Sequence, residues 1–212
     1  IISLFLILIA AGLGGLTVLT ELVWWVVLIH LAVAEPALAC LTVSAFLAWT
    51  NLNTIDDSKR IALGGKIVEL TLFLTLIVVF GLILSGSYMV GYGAASSCGT
   101  WPLCRGALLP EGVPYAIHMA HRIVAAIAGL LIVGTAILTW INHKGYPELR
   151  RSIIALVLLF SIQVMMGALI VWTGFPSSAK ALHLTLATLV WVNLVLVVTI
   201  FYSNQKSILR QS

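Results

Sequence analysis

Charge is scarce in this sequence. Lys, Arg, Asp and Glu together make up 8% of its 212 residues, where soluble domains average about 25%. That scarcity excludes a water-soluble enzyme, a disordered tail and a nucleic-acid-binding protein. Cysteine is scarce as well, and three residues cannot build a disulfide scaffold. Strict apolar–polar alternation is missing, so strands are not expected. No basic segment precedes the first apolar run and no small-residue cleavage site follows it, so that run does not read as a signal peptide.

What remains is 61% hydrophobic, with a mean hydropathy of +1.14. Six apolar runs stand out, at 1–19, 22–49, 67–90, 115–141, 152–173 and 179–203. At about 1.5 Å per residue, each helix is long enough to cross about 30 Å of hydrocarbon. Helices satisfy their own backbone groups in lipid. The expected fold is therefore an all-α, polytopic membrane helical bundle with six spans.

The connections sort by charge. Lys59, Arg60 and Lys66 follow the second span, Lys144, Arg150 and Arg151 follow the fourth, and Lys206 and Arg210 lie in the tail. On the opposite side stand only Arg105 and Lys180, with Glu21 in the first turn. The positive-inside rule then places both ends in the cytoplasm, in a multi-pass arrangement in the cell membrane. The net charge of +4 reflects this topology and not an anionic partner.

Residues 14–34 align with 167–187 without a gap, at an offset of 153. Gly14, Leu16, Val18, Thr20, His30, Leu31 and Ala34 fall on Gly167, Leu169, Val171, Thr173, His183, Leu184 and Ala187. Apolar helices share Leu, Val and Ala cheaply, but a His, a Gly and a Thr in one register argue against coincidence. Parallel repeats of this kind build membrane folds about a pseudo-two-fold axis. The chain also opens inside an apolar run without a methionine. The offset leads to the expectation of roughly 85–90 further residues before Ile1, completing eight helices in two four-helix halves. Residues 1–50 would be the second hairpin of the first half, 51–66 a cytoplasmic linker, and 67–212 the second half.

Three of the five histidines lie inside spans at matching depth. His121 and His183 each lie five or six residues into spans entered from the outer face, and His30 matches His183 in the repeat. Two imidazoles at one depth on two helices suit a six-coordinate haem. A lone intramembrane histidine more often bonds a neighbouring helix; three in corresponding places shift the balance toward ligation. His118, one turn before His121 on the same face, is the competing ligand, and His143 in a basic loop reads as solvated. Arg122 and Lys180 flank the two histidines. Their roles are snorkelling to headgroups or pairing haem propionates.

Cys98 and Cys104 sit in the outer loop Cys98-Gly-Thr-Trp-Pro-Leu-Cys104. On an oxidising face such a pair closes a structural or exchangeable disulfide. A zinc site lacks further ligands at finger spacing. Cys40 reads as a packing residue. Glu35, followed by Pro36, lies about 140° round its helix from His30 and so off that face. It reads equally as a protonated hydrogen-bonding group or as a proton relay.

Together these residues resemble the haem A synthase family. Gly86-Ser-Tyr, the cysteine loop with Trp101-Pro-Leu-Cys104, Ile117-His-Met-Ala-His121-Arg122, Ala181-Leu-His183 and Leu28-Ile-His30 carry the likeness. It extends over the whole chain as helices three to eight of eight. Val90 and Gly99 depart from the residues common at those places. The resemblance implies haem b as cofactor between His121 and His183, and haem O as substrate with His30 as one axial ligand. It further implies that the catalytic Glu belongs to a helix preceding this chain, with His118 at the repeat position of that Glu. The activity implied is oxidation of a haem O methyl group, through hydroxylated stages, to the formyl group of haem A. Iron would supply the redox chemistry and the protein the ligands, orientation and dry pocket. Haem O would come from a haem O synthase, and homo-oligomers or association with respiratory complexes stay open. The rival readings are a cytochrome b that only carries electrons and a haem-free membrane scaffold or transporter.

Overall fold

A computed structural model describes residues 2–52, 66–142 and 146–209. Six helices follow one another: α1 (Ile2–Leu19), α2 (Trp24–Leu52), α3 (Lys66–Gly91), α4 (Val113–Asn142), α5 (Pro147–Trp172) and α6 (Ser177–Leu209). All six are long and apolar enough to cross a membrane, and no strand is present among the described residues. The chain is an all-α, multi-pass membrane protein, as its composition requires. The helices agree with the six apolar runs to within a few residues, except at α5 and α6. α5 begins five residues early because Pro147 opens it at the position where a missing N–H costs nothing. α6 continues past residue 203 into polar sequence. Most of the 51–66 linker, including Lys59 and Arg60, lies outside the described residues, as do His143, Lys144 and Arg210.

Helices α1, α3 and α5 end in one motif. At the end of α1, Thr20 N–H donates to the Leu16 carbonyl, Glu21 N–H to Val18, and Leu22 N–H to Thr17. The end of α5 repeats this exactly 153 residues later, with Thr173 to Leu169, Gly174 to Val171, and Phe175 to Ile170. α3 carries the same bonds from Tyr92 to Tyr88, Gly93 to Val90, and Ala94 to Met89. The middle residue is left-handed each time, at φ 54° for Glu21, 78° for Gly93 and 77° for Gly174. This turn satisfies carbonyls that a helix end leaves open. α1–α2 and α5–α6 thereby become tight antiparallel hairpins. In α3–α4 the same turn leads instead into a longer loop that carries the cysteines.

Helices α3, α4, α5 and α6 form a square bundle. Each packs on its two neighbours, while the diagonal partner α4 does not touch α6 among the described residues. α2 packs on both α3 and α6 and carries α1 on its other side. The core is filled by Leu72, Ile132, Leu149, Ile153, Leu156, Leu194 and Phe201. These positions lie toward the end of the bundle opposite the cysteine loop. Side chains therefore close that end, and the histidines stand in the other half, where the diagonal helices face one another across the bundle.

Candidate functional site

Of the helix histidines, His30, His121 and His183 are each seated against a glycine of the helix before it. A Cβ placed on Gly14, Gly86 or Gly167 would lie 3.2, 3.2 and 3.3 Å from Cε1 of His30, His121 and His183 respectively. Any other residue would push into the ring. The glycine thus serves the close approach of imidazole to backbone, not a turn; a Cβ there would ask the ring to give by a few tenths of an ångström.

The ring nitrogens are anchored at the same level of that preceding helix. His30 Nδ1 donates to the Ala10 carbonyl at 3.0 Å, four residues before Gly14. Ser85 Oγ donates to the Leu82 carbonyl at 2.7 Å and therefore accepts from His121 Nδ1–H, at 2.8 Å. Leu82 is again four residues before its glycine. His183 meets Gln163, four residues before Gly167. The Gln163 side-chain nitrogen lies 3.3 Å from His183 Nε2. His183 Nδ1 and Gln163 Oε1 have no partner in strict hydrogen-bond geometry. For His30 and His121, fixing Nδ1–H leaves Nε2 as the basic nitrogen, the arrangement typical of an iron- or zinc-binding imidazole.

His121 on α4 and His183 on α6 stand on diagonal helices of the square bundle. His183 and His30 each lie six residues past the first residue of their helices, and His121 lies eight past. No group of three or more His, Cys, Asp or Glu residues converges among the described residues.

His118 is committed elsewhere. Its Nε2 accepts from Arg122 Nη2 at 3.2 Å, so its Nδ1 is the donor, to the Ala94 carbonyl at 3.1 Å. With both nitrogens used, it is a poor competitor for a ligand position. Arg122 also bonds the cysteine loop. Its Nη1 donates to the carbonyls of Thr100 and Pro102 at 2.7 and 3.0 Å, and Nη2 approaches the Cys98 carbonyl at 3.4 Å. The guanidinium thus straps the cysteine loop to α4. Cys98 and Cys104 are buried and disulfide-bonded, packed on Met119. Trp101 meets Trp172 of α5 edge-on, with centroids 5.7 Å apart, so the loop spans from α4 to α5. Lys180 lies 5.9 Å from the Phe175 ring centroid, and Cys40 is a half-buried free thiol.

Ser85 and Gln163 were not legible as site residues. The signal that would have found them is the spacing Gly86–Gly93, which repeats as Gly167–Gly174. The cysteine loop interrupts the third copy between Gly86 and His121 and breaks a gap-free alignment.

The chain matches the family model COX15-CtaA, cytochrome oxidase assembly protein, over residues 1–195. It is 31% identical over 126 residues to a heme A synthase of Shouchella clausii, covering 58% of this chain and 42% of that protein. A heme A synthase of Staphylococcus epidermidis is 32% identical over 127 residues, again 58% of this chain and 42% of the relative. A protoheme IX farnesyltransferase of Halobacterium salinarum is 33% identical over 119 residues, 55% of this chain and 26% of that protein. The matched stretch thus spans less than half the length of these relatives.

Proposed function

The chain belongs to the COX15-CtaA family of cytochrome oxidase assembly proteins, and from that premise we propose that it is a haem A synthase-type membrane oxidoreductase. In this reading it oxidises a methyl group of haem O to the formyl group of haem A, with haem b as an electron-transfer cofactor. The similarity to heme A synthases supports the reaction class. The observation that carries the cofactor is the diagonal pair His121 and His183, each seated on a glycine of the helix before it.

His121 and His183 would hold haem b. A haem bound there supplies one-electron transfer. The chain's own contribution is orientation and exclusion of water. Ser85 keeps the Nδ1 proton of His121, which leaves Nε2 aimed away from α3. Gly86 and Gly167 set how far each ring can retreat. The strapped cysteine loop lies over the end of α4 and α5 nearest the histidines, where Lys180 also stands. His30, anchored on Ala10, would be one axial ligand for the substrate haem.

Residues 1–50 belong in this reading to a substrate half and 67–212 to a cofactor half, with both ends of the chain facing the cytoplasm from the cell membrane. The similarity to protoheme IX farnesyltransferases supports supply of the substrate by a farnesyl-transferring, haem O-forming activity.

The test is extraction and chromatography of haems from cells that express the protein alongside haem O. Haem A, or hydroxylated haem O, supports the synthase. A protein that binds haem b and leaves haem O unconverted is an electron carrier instead.

A further inference from the structure

Glu35 has no task in the site above, yet it is the only buried acid among the described residues, at 1% exposure. It lies on α2 where that helix meets α6. Thr188 Oγ1 donates to its Oε1 at 2.9 Å, and Trp191 Nε1 donates to its backbone carbonyl at 2.8 Å. Trp191 in turn packs on Phe80 of α3, with centroids 5.5 Å apart. The carboxyl is therefore held from α6 by Thr188, and the backbone beside it by Trp191, which Phe80 of α3 backs. Its second oxygen, Oε2, has no partner.

That arrangement decides which form of the acid it holds. A buried carboxylate needs a cation or several donors, and one hydroxyl is too few. The titratable side chains nearest along α2 are His30 and Cys40, and along α6 His183; α3 has none between Glu69 and Tyr88, and α1 has none. No cation lies among them. The carboxyl accordingly keeps its proton, on the oxygen that lacks a partner.

The position is equally specific. Glu35 is five residues beyond His30 on α2, and its partner Thr188 is five residues beyond His183 on α6. Each interval is about 7.5 Å of helix. The Glu35–Thr188 pair thus stands about 7.5 Å along the helix from a histidine on each of the two helices that form it.

We propose that Glu35 is a redox-linked proton site between the two halves. The proposal rests on the haem reading above. Glu35 is protonated while the iron held by His121 and His183 is ferrous. When one electron leaves for an external one-electron acceptor, the O–H bond at Oε2 breaks and the proton passes to solvent. The carboxylate that remains keeps the Thr188 bond at Oε1, and the positive charge added at the haem supplies the cation whose absence keeps the acid neutral in the reduced state. Reduction reverses both changes.

The experiment is infrared difference spectroscopy of the haem-loaded protein poised oxidised and reduced at an electrode. A carboxylic C=O band should appear on reduction and vanish on oxidation. Glu35→Gln should remove it. Thr188→Val should move it to higher frequency, because the C=O loses its hydrogen bond. The haem midpoint potential should fall with pH in the native protein and fall less in Glu35→Gln. A redox-sensitive band that survives Glu35→Gln, or a carboxyl band indifferent to haem oxidation state, overturns the proton site alone. Failure of the protein to bind haem overturns this inference together with the cofactor reading.

Discussion

Thr188 donates a hydrogen bond to Glu35 across 2.9 Å, and 153 residues separate the two. The same interval superposes His30 on His183 and the end of α1 on the end of α5. A residue in contact with its own repeat mate lies at the axis that relates the copies. α2 and α6 are therefore equivalent helices packed on each other at that axis. Their histidines point away from it, each toward its own preceding helix.

The proposed haem ligands His121 and His183 give the first prediction. His121→Ala and His183→Ala should each lose haem b or turn it from low-spin to high-spin, read from the visible spectrum of purified protein. His118→Ala should keep the low-spin spectrum, since both its nitrogens serve Ala94 and Arg122. An unchanged spectrum in both the His121 and His183 variants would remove the assignment.

Ser85 tests the anchoring. Ser85→Ala leaves His121 Nδ1–H without its acceptor, and loss of such an outer partner weakens metal affinity about 10–100-fold. Haem titration of the apoprotein should show that loss, with His121 still ligating.

The glycine seats can be probed by volume. A Cβ at Gly86 already meets the His121 ring at 3.2 Å. Gly86→Val should displace the imidazole and abolish low-spin ligation, and Gly86→Ala should have a smaller effect in the same direction. Gly134, where a Cβ meets nothing within 4 Å, should accept Ala without spectral change.

The cysteine loop yields a chemical and a mechanical outcome. Thiol labelling of unfolded, non-reduced protein should modify Cys40 and spare Cys98 and Cys104; modification of all three without reductant would disprove the bridge. Arg122→Gln removes the strap from three loop carbonyls. Amide exchange between residues 98 and 104 should then speed up, while exchange in α3 and α5 stays as it was.

His30 separates an enzyme from a carrier. If His30 serves the substrate haem and His121 and His183 the cofactor, His30→Ala should stop haem A formation and leave the haem b spectrum nearly intact. Normal haem A yield in cells carrying this variant would refute the substrate-ligand role. Glu35→Gln should reduce the yield by less than His30→Ala does.

The sequence alone determined a good deal. Low charge and six long apolar runs permit only helices in a membrane, because a lipid-exposed strand edge leaves backbone groups unsatisfied. A rare histidine recurring with glycine at 153 residues was enough to expose the repeat and the residues His30 and His183. Those are properties of spacing along one chain. The tertiary structure alone decided what each polar group does. Arg122 turned toward the Cys98, Thr100 and Pro102 carbonyls because the loop folds back over its helix, which no local pattern encodes. Ser85 and Gln163 became the histidines' partners because α3 and α5 approach within contact at their glycines. Glu35 met Thr188 and Trp191 because α2 packs on α6 at that level. Partners so distant along the chain are chosen by helix packing, and packing is settled only when all six helices are in place.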